Sequence, residues 1–379
     1  MSVAAATAAA LLLATASPAT AASAAGAAAV GDAQQAMENL AKTPGVVGAI
    51  GGAYVDGKAA GQGTAGSRLL NGEGGTIPAD SRFYIGSQTK AMVATVLLQL
   101  VEKGKLGLDD KLADRLPEVA ADGLVERAGE ITVQQLIQHT SGIPDWWSRS
   151  GSTEPAFDVF DFTTYYRPID IVETTRGLPR TGEPGEKFTY SNTNYTLIGM
   201  LIEQVTGHTL ADELDRRLFR PLGMTRTYAL TKPPEGIKGP HGHGYYADST
   251  GTLRDMHRAN ASWGFGAGNV VSTTRDVSIF QRAFDQGRLL PPSLRKVLAG
   301  GSAGGSADGD GSGSARQGTE KCEENLNMQG GSGLGYTTLI LYSTDGRRQF
   351  EISVTRSTTD DAIIPEMIKA GQAVLCPTG

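Results

Sequence analysis

Residues 83–104 read Phe-Tyr-Ile-Gly-Ser-Gln-Thr-Lys-Ala-Met-Val-Ala-Thr-Val-Leu-Leu-Gln-Leu-Val-Glu-Lys-Gly. From Thr89 to Val101 the apolar residues Met92, Val93, Val96, Leu97, Leu100 and Val101 recur at helical spacing, and Gly104 supplies a left-handed C-terminal cap. So dense a pattern predicts a deeply buried helix. Its entrance carries Ser87-Gln88-Thr89-Lys90, a Ser-x-x-Lys tetrad whose first and last members share one helical face. A serine hydroxyl is a poor nucleophile until a base takes its proton, and an amine desolvated by the helix behind it suits that task. A serine at a helix N-terminus also offers its own backbone N–H to an oxyanion. Taken alone, the tetrad reads equally well as a capping serine beside a lysine that reaches for solvent. The same spelling recurs at Ser293-Leu294-Arg295-Lys296, where Pro291-Pro292 and the internal Arg295 mark an ordinary surface helix.

Working outward, residues 46–55 form a β-rich run that meets Asp56-Gly57, a type I′ hairpin signal. Near the other end, Tyr336 to Ser343 and Gln349 to Val354 are joined across Asp345-Gly346, and Asp360 to Leu375 has helical spacing interrupted by Pro365. Between them, helices are expected at Thr132 to His139, Asn194 to Val205, Leu210 to Leu218 and Thr274 to Phe284. This order predicts an α+β protein, with a sheet built from both chain ends and a mostly helical part inserted at about residues 105–260 of a domain covering 41–376. Ligands bind most often in the cleft between two such parts.

The 379 residues, 40% apolar, are enough for a large core. A net charge of −6 without a long basic block excludes a nucleic-acid footprint. Residues 1–21 read as a secretory signal peptide, an Ala-rich apolar run with Leu11, Leu12 and Leu13 that ends at Ala19-Thr20-Ala21, although no Lys or Arg precedes it. Residues 22–40 read as a flexible leader, and no later run is long enough to span a membrane. A soluble exported protein is expected. Its two cysteines, Cys322 and Cys376, then suggest a disulfide, which would close about fifty residues and contribute roughly 4 kcal/mol; two buried thiols are the alternative.

Other signals are weaker. Tyr190-Ser191-Asn192 offers a phenol for proton transfer and an amide that could hold a substrate carbonyl, yet a turn with an Asx-type hydrogen bond has the same spelling. Gly300-Gly301-Ser302-Ala303-Gly304 spells a nucleophile elbow but sits in a Gly-rich stretch, residues 300–313, read as a flexible loop. His241-Gly242-His243 has no acidic or cysteine ligand nearby in sequence, so it reads as a loop pair and no metal is expected. No phosphate or dinucleotide loop is present, so no cofactor is expected either. Trp263, before Gly264-Phe265-Gly266, reads as a cleft aromatic or a packed core residue.

Several motifs in order resolve the tetrad's ambiguity. Phe83 to Lys90, Leu98-Gln99-Leu100-Val101-Glu102-Lys103-Gly104-Lys105-Leu106, Ile131-Thr132-Val133, His139-Thr140-Ser141-Gly142, Tyr190-Ser191-Asn192 with Leu201-Ile202-Glu203, and Gly266-Ala267-Gly268 with Ser272-Thr273-Thr274 follow one another. Together they resemble the serine D-Ala-D-Ala carboxypeptidase and class C β-lactamase family, from about residue 40 to Cys376. The resemblance implies an antiparallel sheet from both chain ends with an inserted helical domain. It implies that Ser87 attacks an amide or ester carbonyl, that Lys90 and Tyr190 share the proton transfers, and that Asn192 positions the substrate. The soluble secreted carboxypeptidases of this kind carry a cysteine pair that corresponds to Cys322 and Cys376.

One motif departs. Where the family has His-Thr-Gly or Lys-Thr-Gly before a Gly-Tyr pair, this chain has Gln329-Gly330-Gly331, ahead of Gly335-Tyr336. A glutamine amide carries no charge and exchanges no proton near neutral pH. An oxyanion hole made of the Ser87 and Ser332 N–H groups needs neither. Arg316 is a candidate for a substrate carboxylate, or equally a solvated surface arginine. The expected function is a secreted serine acyl-enzyme hydrolase of D-amino-acid-containing peptides or related amides and esters. The alternatives are an acyltransferase or peptide cyclase using the same acyl-Ser87, and a silent peptide-binding homologue.

Overall fold

The computed structural model describes residues 30–147, 157–233, 235–302 and 326–377. The signal-peptide segment, Arg316, Cys322 and residues 303–313 of the Gly-rich stretch lie outside them.

Residues 22–29 lie outside the described residues, and the first described helix, α1 (Ala33–Leu40), corrects the flexible-leader reading over its own span. Asp32 caps it by accepting from the Gln34 and Gln35 N–H groups, and Ala33, Ala36, Met37 and Leu40 form a buried stripe at helical spacing. Strands β1 (Val46–Val55) and β2 (Lys58–Gly66) then make the expected hairpin. Asp56 and Gly57 both have positive φ, 52° and 77°, as a type I′ turn demands.

The chain next runs through the expected buried helix, α2 (Thr89–Glu102), whose residues from Met92 to Leu98 are all buried. A helix buried on every side needs apolar residues all round, which is why its pattern is dense rather than one-sided. Short helices at Leu112–Arg115, Pro117–Ala120, Val133–Ile137 and Pro168–Glu173 precede the long α3 (Asn192–Thr206), and a helical run from Leu210 ends at Leu222. Beyond it, residues 228–272 carry short strands, and α4 (Thr274–Asp285) follows.

A later helix, Pro292–Ser302, carries the second Ser-x-x-Lys spelling and corrects the loop reading of Gly300 to Ser302. The serine of the elbow spelling, Ser302, is therefore the last residue of a helix, where an elbow needs a strand before it. Strands β3 (Leu326–Gly333), β4 (Tyr336–Ser343) and β5 (Arg348–Arg356) and helix α5 (Ile363–Leu375) complete the fold. Pro365 lies in the first turn of α5, where its missing N–H has no intrahelical acceptor to lose. Cys376 caps α5.

The sheet is antiparallel throughout, in the order β2-β1-β5-β4-β3, so both chain ends contribute to it. One face packs on α1 and α5 through Met37, Phe350, Ile352, Val354 and Met367. The other packs on the helical remainder through Ile50, Tyr336 and Ile340. This leaves β3 as an edge strand beside the entrance to α2.

Met37 is fully buried between α1 and the sheet. Met37→Ala should therefore cost about 2–4 kcal/mol in urea unfolding at constant m-value. A cost below about 0.5 kcal/mol would show that α1 is peripheral.

Candidate active site

Ser87 sits in a 3-10 turn, Gly86–Gln88, one step before α2. Residues three apart nearly eclipse in that geometry, so the expected Ser87–Lys90 meeting is preserved. Lys90 Nζ lies 3.1 Å from Ser87 Oγ and donates to Asn192 Oδ1 at 2.8 Å and to the Ala267 carbonyl at 2.9 Å. Tyr190 Oη lies 2.8 Å from the same Ser87 Oγ. Lys90 is itself 4% exposed and lies over the Tyr190 ring, 4.8 Å from its centre. The four residues named from sequence thus form one cluster, with an amine and a phenol on one hydroxyl.

Its supports were not read from sequence. The Asp145 carboxylate accepts from Asn192 N at 3.0 Å, from Asn192 Nδ2 at 3.1 Å and from Trp147 N at 3.2 Å. Burial pushes the Asp145 carboxyl upward, and the Trp147 and Asn192 N–H groups oppose that. Asn192 is thereby fixed, with its oxygen on Lys90 and one amide hydrogen on Asp145, leaving the second hydrogen for a substrate carbonyl.

His139 stacks on Tyr190 with ring centres 4.6 Å apart, and its Nδ1 accepts from Ser191 N at 3.1 Å. Burial, with Lys90 nearby, lowers its pKa to about 3, so it is a neutral wall of the site. Its φ of 56° is left-handed. Nothing in a lone His-Thr-Ser-Gly spelling foretells that stacking, which depends on two segments 50 residues apart meeting.

The departing triplet, Gln329-Gly330-Gly331, lies on β3, which packs beside the Ser87 turn. A Cβ on Gly331 would fall 2.0 Å from the Ile85 carbonyl oxygen and 2.9 Å from Ser87 N. One on Gly86, whose φ is 51°, would fall 2.8 Å from Ser332 N. Only glycines at these two positions leave room for β3 to lie this close to the serine turn. Gln329 is half-buried on the same strand, and its carbonyl accepts from Gln88 Nε2 at 3.2 Å. Gln88 also donates to the fully buried Glu351 at 3.4 Å. Burial pushes the Glu351 carboxyl well above its usual range, and the Gln88 hydrogen bond opposes that.

Trp263 packs edge-on and tilted against Trp146 and Trp147, with ring centres 5.8 and 5.5 Å away. It therefore belongs to a packed aromatic cluster next in sequence to Asp145. The histidine pair is a correction. The fold brings Asp255 and His257 to His243, completing the set of ligand types that the local sequence lacked.

A Beta-lactamase family profile matches residues 33–367. The chain belongs to that family, among its penicillin-binding-protein-like serine hydrolases. It is 32% identical over 207 residues to Penicillin-binding protein 4 of Amycolatopsis lactamdurans, covering 54% of this chain and 50% of that one. This chain spans about half the length of the curated relatives it matches. The solved structure of a D-stereospecific amidohydrolase from Streptomyces sp. superposes with a TM-score of 0.70 at 27% identity, covering 92% of this chain and 98% of that one. A D-amino acid amidase from Ochrobactrum anthropi SV3, solved with L-phenylalanine amide, shares the fold at 23% identity and a TM-score of 0.69, covering 90% and 97%.

Two outcomes follow from this geometry. Gly331→Ala must push β3 off Ser87, so the acylation rate should fall about 100-fold or more while the circular dichroism spectrum is kept; a loss of only a few-fold would show that the close approach is dispensable. An unfolded histidine gains a proton below about pH 6.5, whereas folded His139 stays neutral down to about pH 3. The folded state therefore loses stability as pH falls through that window, by about 2 kcal/mol from pH 7 to 5. His139→Asn, uncharged and tolerant of the left-handed backbone, should remove that much of the pH dependence in urea unfolding at the two pH values.

Proposed function

We propose that the protein is a serine acyl-enzyme hydrolase of peptides or amides that contain D-amino acids. The observation that carries this reading is the placement of Lys90 Nζ and Tyr190 Oη on one hydroxyl, Ser87 Oγ, beside the Ser332 backbone nitrogen. The likeness to proteins named as a penicillin-binding protein and as a D-stereospecific amidohydrolase supports the choice of substrate.

In this mechanism Ser87 Oγ attacks the carbonyl carbon while its proton passes to the Lys90–Tyr190 pair. The developing oxyanion is held by the N–H groups of Ser87 and Ser332. The pair returns the proton to the leaving nitrogen as the C–N bond breaks, giving acyl-Ser87. Water then gives a proton to the same pair, attacks the acyl carbon, and releases the acid as Ser87 regains its hydrogen. Asn192 Nδ2 orients the substrate amide. The Ala-rich run over residues 1–21 supports export of the enzyme, and a Cys322–Cys376 disulfide suits that compartment.

A second reading is favoured by Gln329-Gly330-Gly331, which removes the cationic or imidazole group and the hydroxyl of the third motif. In this reading an amine or alcohol, instead of water, resolves acyl-Ser87.

Incubation with a labelled penicillin or an activated D-alanyl ester should add the acyl mass to Ser87, and Ser87→Ala should show none. Absence of an adduct with every donor would overturn both readings and leave a peptide-binding protein. With an adduct formed, product ratios in the presence of added D-amino acids decide between them: mainly free acid supports hydrolysis, mainly amide supports transfer.

A further inference from the structure

A second cluster of chemically capable side chains lies apart from Ser87, on a two-stranded ribbon of Tyr245–Ala247 and Leu253–Asp255. The ribbon pairs Tyr245 with Asp255. The residues before 245 therefore lie beside those after 255, which brings His241 and His243 against His257. The three imidazoles stack, with ring centres 4.3 Å apart for His243 and His257 and 5.0 Å for His241 and His243, and their planes lie within 19° of one another.

Asp255 sits between two of the rings. Its Oδ2 lies 2.6 Å from His243 Nδ1 and its Oδ1 lies 3.0 Å from His257 Nδ1. One ligand atom from each of His243, Asp255 and His257 lies within 4.8 Å of the others. A tetrahedral ion with bonds of about 2.0–2.2 Å holds its ligand atoms about 3.4 Å apart, so modest ring rotation is sufficient. Access is open, because the side chains of His243, Asp255 and His257 are 16, 37 and 32% exposed.

His241 supplies the independent observation. Its Nδ1 lies 2.6 Å from the Gly239 carbonyl oxygen, which makes Nδ1 the donor and leaves Nε2 as a lone pair. That Nε2 is buried and has no hydrogen-bond partner among the described residues. A buried imidazole nitrogen without a partner is an uncommon cost in a folded protein.

We propose that His243, His257 and Asp255 bind one divalent transition-metal ion of the zinc type, with His241 Nε2 as the fourth donor. The ion replaces the two protons that now bridge Asp255 to the rings, and each ring proton moves to its Nε2. Three imidazoles and a carboxylate suit zinc, cobalt or nickel better than calcium or magnesium, which prefer oxygen. The backbone around the cluster is already tethered: His243 N donates to the Arg68 carbonyl at 2.8 Å, and the Gly242 carbonyl accepts from Tyr336 Oη at 3.0 Å. An ion would therefore clip this segment to the ribbon.

The test uses untagged full-length protein, stripped with a chelator and then given zinc or cobalt alone. About one zinc per chain should be retained through gel filtration, cobalt should give visible d–d absorption, and zinc should raise the melting temperature. His257→Ala should weaken zinc binding at least tenfold, and the double variant His243→Ala, Asp255→Asn should abolish it. His208→Ala, outside the cluster, should bind as the unaltered protein does. Should the double variant fail to fold, His257→Ala, which alters a half-exposed ring, decides the matter by itself. Equal zinc retention by the unaltered protein and His257→Ala, or no retention by the unaltered protein, would overturn the proposal.

Discussion

The close approach of an edge strand to a serine-bearing turn is the constraint on which the site depends. Gly331 on β3 and Gly86 in the 3-10 turn leave no room for a side chain between them, since an added Cβ would stand 2.0 Å from the Ile85 oxygen in one case and 2.7 Å from the Ser332 oxygen in the other. A sheet edge carries backbone N–H groups that no neighbouring strand uses. Here that edge lies against the serine turn, and the sheet order that puts β3 last is what makes the approach possible.

Around this contact the protein keeps its charges few. Burial keeps His139 neutral beside Tyr190 and pushes the Glu351 carboxyl upward beneath Gln88. Gln88 ties the serine turn to β3 and β5 by donating to the Gln329 carbonyl and to the Glu351 carboxyl. The Asp145 carboxyl acts through Asn192, so it aims the amide rather than touching Ser87.

Much of the fold was legible because its signals are local. The type I′ turn at Asp56-Gly57, the dense apolar helix after Lys90 and the paired strands near the C-terminus each follow from a few adjacent residues. Helix α1 was misread although its Ala33, Ala36, Met37 and Leu40 stripe is regular, because it continues an alanine-rich segment and is only eight residues long. Pro365 looked like an interruption because a proline's effect depends on where the helix starts, and that boundary is set by packing on the sheet.

The sequence by itself picked out the candidate nucleophile and its partners. Ser87 and Lys90 are bound by one helical turn, and the ordered motifs containing Tyr190 and Asn192 specify what that turn must face. Only the tertiary structure decided the groups that hold them: His139 against Tyr190, Asp145 under Asn192, Gln88 on Glu351, and Asp255 with His257 beside His243. Each of these joins segments whose separation in the chain says nothing about their distance in space. The periodicity of a helix or strand reports which way a side chain faces, whereas which side chain it meets is set by how the layers pack.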